Sequence, residues 1–113
     1  MKFTVPLVPP SVNHYVKHTR SGRHYVTAEA RAFKDSIAIF AAGQTVAAKE
    51  YGVEIAVFLG KGDRIDIDNI PKCCLDGLKD AGVIHSDAAI TKLTLEKGRD
   101  WQNPRTEIEV KPI

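Results

Sequence analysis

Six aspartates and no glutamate fall between residues 63 and 87, and this is where the sequence gathers side chains suited to chemistry. Asp66 and Asp68 stand two apart in the run Asp63-Arg64-Ile65-Asp66-Ile67-Asp68-Asn69-Ile70-Pro71-Lys72. In an extended backbone, residues i and i+2 point to one face. Two carboxylates on one face repel each other unless a cation lies between them, and an all-oxygen donor set favours Mg²⁺ or Mn²⁺ over Zn²⁺. A third acid, Asp87, follows the stretch Val83-Ile84-His85-Ser86. A helix packing back on a sheet could return it to the end that holds Asp66 and Asp68. Lys72 lies four residues after Asp68, on the same helical face, where its ammonium could be aimed at a phosphate or an attacking water beside a metal.

Each of these residues also has a purely structural reading. Asp68 would serve as the N-cap of a following helix, and Asp87 could cap a turn before Ala88-Ala89. Lys72 could be the i,i+4 partner of Asp68 or Asp76. Two motif look-alikes are excluded. An EF-hand loop needs a Glu eleven residues after Asp66, and Gly77 stands there. The DxD motif of haloacid-dehalogenase-type phosphatases follows a hydrophobic strand, whereas Lys61-Gly62-Asp63-Arg64 precedes Asp66 here.

A second constellation lies upstream. His14, Tyr15, Lys17, His18, Arg20, Arg23, His24 and Tyr25 fall within residues 12–26. Arg and Lys pair with phosphates while Tyr and His stack on bases, so this arm suits nucleic acid. Zinc is a competing idea for His14 and His18, but no Cys or Asp stands near to complete a tetrahedral set. A solvated surface loop is the third reading.

These groups need elements to position them. Phe3, Val5 and Leu7 alternate as in a half-buried strand, with Pro6 marking an edge or strand end. Ser21-Gly22 reads as the tip of a hairpin or loop. Thr27 is a good N-cap for an amphipathic helix over 28–42, with Glu29 in its first turn, Phe33, Ile37 and Phe40 on its apolar face, and Gly43 as its stop. Val53, Ile55, Val57 and Leu59 alternate over 52–59, and the other face, with Glu54, Ala56 and Phe58, is read as that of a central strand covered on both sides. A second helix fits 69–81, with Asp68 as N-cap, Pro71 in the first turn, Gly82 past the end, and Ile70, Cys74, Leu78 and Ala81 on one face. Residues 91–97 and 105–110 read as two strands joined into a hairpin by the loop 98–104. The result is an α/β (α+β) layer fold: one small domain spanning 1–113, with a mixed sheet and two helices.

Composition sets the limits. The chain has 113 residues, enough for one core. Its formal charge of +2 argues against binding by bulk positive charge, yet that sum hides a split. Residues 1–35 carry a net +4 and residues 63–87 a net −3. No apolar run approaches the about 20 residues that span a bilayer, so no membrane association is expected. The start lacks the long apolar stretch of a secretory signal. The only cysteines, Cys73 and Cys74, are adjacent. Neighbours within a helix do not readily meet disulfide geometry, and they lack zinc-ligand spacing, so they read as small buried thiols of a cytoplasmic protein.

The residues converge on a known family. Pro9-Pro10-Ser11-Val12-Asn13-His14-Tyr15, the basic loop and Tyr25-Val26-Thr27-Ala28-Glu29-Ala30-Arg31-Ala32-Phe33-Lys34 resemble the N-terminal half of the RusA family. Asp66-Ile67-Asp68-Asn69-Ile70-Pro71-Lys72, Asp76-Gly77-Leu78, Gly82 and Asp87 continue the resemblance, which runs roughly from Val5 to Lys97. It implies a homodimeric, Mg²⁺-dependent endodeoxyribonuclease (Mn²⁺ being an alternative ion). Such enzymes resolve four-way Holliday junctions by paired symmetric nicks, in DNA recombination and repair. The family's essential aspartates match Asp66, Asp68 and Asp87, which the resemblance makes metal ligands, and its functional lysine matches Lys72. The match assigns no individual contacts in the basic arm; the residues expected to face DNA are Asn13, Tyr15, Lys17, Arg20, Arg23 and Lys72. One departure stands out: the family often has two consecutive aspartates at the distal acid, and here the first is Ser86. That departure supports an alternative reading, a RusA-like dimer that grips branched DNA without cutting it.

Overall fold

The computed structural model describes residues 1–10, 16–18 and 24–113, with only the backbone described for 16–18 and 24–26. Four strands form one sheet: β1 (Lys2–Val5), β4 (Tyr51–Leu59), β5 (Ile90–Arg99) and β6 (Arg105–Pro112), in the order β1-β6-β4-β5. β2 (Val16–His18) and β3 (His24–Val26) pair separately and antiparallel, with Lys17 opposite Tyr25. This ladder flanks the hairpin tip expected at Ser21-Gly22, which itself lies outside the described residues.

Helix α1 (Ala28–Ala41) starts where the sequence predicts. Thr27 is extended, and its side chain accepts from the Ala30 N–H at 3.2 Å, which satisfies one of the first-turn donors that have no intrahelical partner. The buried face is Ala30, Phe33, Ser36, Ile37 and Ala41. It is rotated away from Phe40, which is 46% exposed. The two alanines let α1 approach the sheet closely, and that choice of contact turns Phe40 outward.

Helix α2 (Pro71–Asp80) packs beside α1. The expected start at residue 69 with an Asp68 cap is corrected. Residues Ile67–Asn69 form a 3₁₀ turn that runs directly into α2, and the N-cap position falls on Ile70, with no side-chain cap bond. The turn closes on backbone bonds of its own. Asn69 N–H donates to the Asp66 carbonyl at 2.9 Å and Ile70 N–H to the Ile67 carbonyl at 3.3 Å. Pro71 removes a donor that would otherwise need a partner.

Both helices pack against one face of the sheet. Val53, Ile55 and Val57 of β4, Ile108 and Val110 of β6 and Val5 of β1 meet Phe33, Ile37, Cys74 and Leu78 there, all essentially buried. Each fully buried aliphatic or aromatic side chain of this size contributes about 1.5–3 kcal/mol. The opposite face is open among the described residues. Glu54 is exposed there and Ala56 and Phe58 are half-buried, so β4 is central but covered on one side only. The Arg105 guanidinium, 4.1 Å above the Phe58 ring, provides part of that ring's cover.

The expected β5–β6 hairpin is also corrected. β4 lies between them, parallel to β5 and antiparallel to β6. Alternating residues around a loop do not say whether two strands are immediate neighbours. The five residues 100–104 can reach about 17 Å, more than the roughly 10 Å between strands two places apart. Asp100 N–H donates to the Leu59 carbonyl at 3.0 Å as this loop passes the end of β4. The parallel β4–β5 pair requires a long crossover, which α2 supplies. Everything between β4 and β5, including all six clustered aspartates, therefore lies on that crossover.

Candidate active site

The crossover leaves β4 through Gly60-Lys61-Gly62 and turns back along β5. Two cations of β5 hold it there. Arg99 Nη1 donates to the Asp63 carbonyl at 3.4 Å, and Lys97 Nζ donates to the Ile65 carbonyl at 3.0 Å. The following 3₁₀ turn, Ile67–Asn69, packs against both β5 and α2. These clamps fix the backbone on either side of Arg64 and immediately before Asp66. The sequence reading missed them. Their signal was present, because Leu93, Leu95, Lys97 and Arg99 alternate on one face of a strand, and a cation that continues an apolar stripe can reach the backbone of a segment packed on that stripe.

The six aspartates divide cleanly. Asp63 Oδ2 accepts from the buried Gly60 N–H at 2.7 Å and closes the turn after β4. Asp76 pairs with Lys72 at 3.2 Å, and Asp80 pairs with Lys34 of α1 at 2.7 Å. Asp66, Asp68 and Asp87 are all exposed, and among the described residues no hydrogen bond or ion pair engages their carboxylates. Asp66 occupies the cap position of the 3₁₀ turn yet makes no side-chain cap bond. Asp68 is not the cap of α2. Asp87 opens a second 3₁₀ turn, Asp87–Ala89, just before β5, but the capping there is done by Ser86, whose Oγ accepts from the Ala88 N–H at 3.1 Å. The structural roles open to Asp68 and Asp87 are thus taken by other groups.

Both 3₁₀ turns pack against α2, which links Asp68 and Asp87 to one element. Three unpartnered carboxylates are hard oxygen donors of the kind Mg²⁺ and Mn²⁺ take, so their chemistry fits such an ion. Among the described residues no three Asp, Glu, His or Cys side chains stand ready-gathered as a metal cage. Like charges have no reason to close up without a cation between them. Lys72 extends from the first turn of α2, and its pair with Asp76 is an exposed i,i+4 contact. Such pairs are worth about 0.3–0.5 kcal/mol and yield readily to a stronger anion.

Of the expected DNA-facing residues, Asn13, Tyr15, Arg20 and Arg23 lie outside the described residues. Lys17 is placed in β2 by its backbone alone. A cleft of about 410 Å³ opens beside the crossover, walled by Pro9, Pro10, Phe33, Leu59, Arg64 and Ile65 among others. None of the three free carboxylates lines it.

Cys73 and Cys74 are buried free thiols. Burial is the largest influence on each, pushing Cys73 up to about 12 and Cys74 well above its ordinary 9.0. They are packing groups and not nucleophiles. Among the described residues no helix is long and apolar enough to cross a membrane.

Comparison with known proteins identifies the family. Residues 6–111 match the family model described as Endodeoxyribonuclease RusA. The crossover junction endodeoxyribonuclease of Enterobacteria phage 82 is 30% identical over 105 residues, covering 90% of this chain and 87% of that protein. The enzyme of that name from Escherichia coli K12 shows the same identity and coverage. The Shigella sonnei protein is 29% identical over 108 residues, with 90% and 87% covered. This chain belongs to the RusA family of endodeoxyribonucleases.

Proposed function

We propose that the chain is a structure-specific endodeoxyribonuclease that resolves four-way DNA junctions by paired, symmetric nicks, acting as a homodimer with Mg²⁺, or Mn²⁺ in its place. The observation that carries this reading is the division of the aspartates. Asp63, Asp76 and Asp80 have structural partners, whereas Asp66, Asp68 and Asp87 have none among the described residues. Exposed carboxylates left without a partner are unfavourable neighbours for a phosphate backbone, so a resident cation is the chemical rationale for keeping them.

Asp66, Asp68 and Asp87 would hold the ion. When bound, it supplies activation of the attacking water and neutralisation of the charge that develops on the phosphate. The chain's own residues do the rest. Lys97 and Arg99 hold the backbone that carries Asp66 in place. Lys72 exchanges its weak contact with Asp76 for the scissile phosphate and stabilises developing negative charge. The arm that carries Asn13, Tyr15, Lys17, Arg20 and Arg23 grips the DNA through phosphate pairing and base stacking. A twofold dimer presents two equivalent sites to two equivalent strands, which makes the nicks symmetric. The work takes place in the cytoplasm, where the DNA is and where buried thiols stay reduced.

Ser86 was the support for a non-cleaving branched-DNA binder, and its capping bond to Ala88 gives it a structural role that leaves Asp87 free. The cleaving reading is therefore preferred. A labelled four-way junction incubated with the protein in Mg²⁺ or in EDTA tests it. Nicks that need the ion are expected, and junction binding without nicks under any divalent ion would favour the binder.

A further inference from the structure

Among the described residues the edge of the sheet beside the site has no strand partner. β5 is the outermost strand, ten residues long; Ile90 N–H at its start donates to the Asp87 carbonyl, and from Thr91 to Arg99 its backbone makes no hydrogen bond beyond the ladder with β4 among the described residues. Long open edges are normally shortened, capped or covered, because their free N–H and C=O groups invite pairing. This one carries apolar surface as well. Leu93 is 40% exposed, and Ile67, on the 3₁₀ turn packed against β5, is 45% exposed.

We propose that this edge is the dimer surface: β5 pairs antiparallel with β5 of a second copy, centred on Thr94, and joins two sheets into one of eight strands. The proposal rests on the homodimer reading above and adds the surface and register.

The register follows from symmetry and charge. A twofold axis normal to the sheet leaves each residue on its own face, so only registers centred on a residue are allowed. Leu93 and Leu95 share the helix-covered face with Val53 and Ile55, while Lys92, Thr94 and Glu96 share the open face with Glu54 and Ala56. Centring on Thr94 sets Leu93 opposite Leu95 and Lys92 opposite Glu96, each twice. Centring on Leu93 sets Ile90 against Glu96, and centring on Leu95 sets Leu93 against Lys97. Only the Thr94 register matches apolar with apolar and cation with anion. Within one copy Lys92 and Glu96 are about 13 Å apart along the strand and cannot meet. Opposite charges facing across strands stabilise a sheet and like charges weaken it.

Thr94→Cys tests the register directly. Directly opposite Cα atoms in an antiparallel pair lie about 4.5–5.5 Å apart, within disulfide range. The variant should form a covalent dimer on mild oxidation, whereas Lys92→Cys, offset from its own copy, should not. The native thiols are buried and do not compete. Lys92→Glu should raise the dimer dissociation constant about tenfold, and adding Glu96→Lys should restore it, since the swap rebuilds both pairs in reverse. Light scattering reads the dimer. A dimer that neither cross-links through Thr94→Cys nor responds to charge reversal overturns this surface and leaves the homodimer reading standing. A monomer at every concentration overturns both.

Discussion

Removing the aspartates one at a time should split them into two groups by stability. Asp63→Ala deletes the acceptor of the Gly60 N–H, a 2.7 Å charge-assisted bond in a half-buried turn. Gly60 itself is buried, so its donor is left with poor access to water. Losing a capping acceptor of this kind costs about 0.5–2 kcal/mol, and stranding a buried donor about 1–3 kcal/mol. Together these set an expected loss of about 1.5 kcal/mol, which lowers the Tm of a chain this size by roughly 6 °C. Asp66→Asn, Asp68→Asn and Asp87→Asn delete no bond seen among the described residues. Each should leave stability unchanged or raise it by a few tenths of a kcal/mol as like-charge repulsion is relieved, within about 0.5 kcal/mol either way. Urea or thermal unfolding in EDTA measures all four. Added Mg²⁺ should raise the Tm of the wild-type chain, since a ligand that binds only the folded state stabilises it, and should do so less in the three Asn variants. If Asp68→Asn loses as much stability as Asp63→Ala in EDTA, the carboxylate has a structural role and the division of the aspartates fails.

Three further outcomes follow from particular contacts. A Cβ on Gly77 would sit 2.6 Å from Cδ1 of the fully buried Ile37. Gly77→Ala should therefore destabilise by about 1 kcal/mol, because overpacking of about 1–3 kcal/mol outweighs a helix-propensity gain of about 1 kcal/mol; a more stable variant would show that α1 and α2 are not in close contact there. Lys97→Met removes the clamp on the Ile65 carbonyl and should slow junction nicking about ten- to a hundredfold with binding retained; an unchanged single-turnover rate contradicts the positioning role. Burial raises both thiols, so they stay neutral in the folded state while the unfolded chain ionises its own above about pH 9. Stability is then fully present below that pH and falls as pH rises towards 12, by roughly 1.4 kcal/mol per unit per thiol; a Cys73→Ala/Cys74→Ala variant should lose this slope, and a native chain that reacts promptly with a thiol reagent at pH 8 would refute the assignment.

Much of the fold could be read from local signals. Thr27 and the period of Phe33 and Ile37 placed α1, and alternation placed β4, β5 and β6, because these patterns follow from backbone geometry that each segment carries by itself. Strand order is a property of pairs of segments. Nothing in residues 90–112 alone says that β4 inserts between β5 and β6. The Asp68 cap failed for a similar reason, since a 3₁₀ turn over Ile67–Asn69 runs into α2 and moves the helix start to Pro71, which residue types do not reveal. Phe40 shows the limit of periodicity, which finds a stripe but not which edge of it the neighbouring sheet selects. For the site, spacing and family resemblance singled out Asp66, Asp68, Asp87 and Lys72, while the structural alternatives stayed open. The fold closed two of them by assigning turn capping to Ser86 and by moving the cap position of α2 from Asp68 to Ile70, and it kept one by pairing Lys72 with Asp76. Lys97 and Arg99 escaped notice because their partners are carbonyl groups more than thirty residues away.

The most direct measurement is strand-specific nicking of an end-labelled four-way junction by the wild-type chain and by Asp68→Asn, each with Mg²⁺ and with EDTA. The wild-type chain should cut two opposed strands symmetrically in Mg²⁺ and neither in EDTA. Asp68→Asn should shift the junction in a binding gel as well as the wild type does and cut nothing. Nicking by Asp68→Asn at the wild-type rate, or by the wild-type chain in EDTA, would contradict the assignment of these carboxylates to a metal-dependent site.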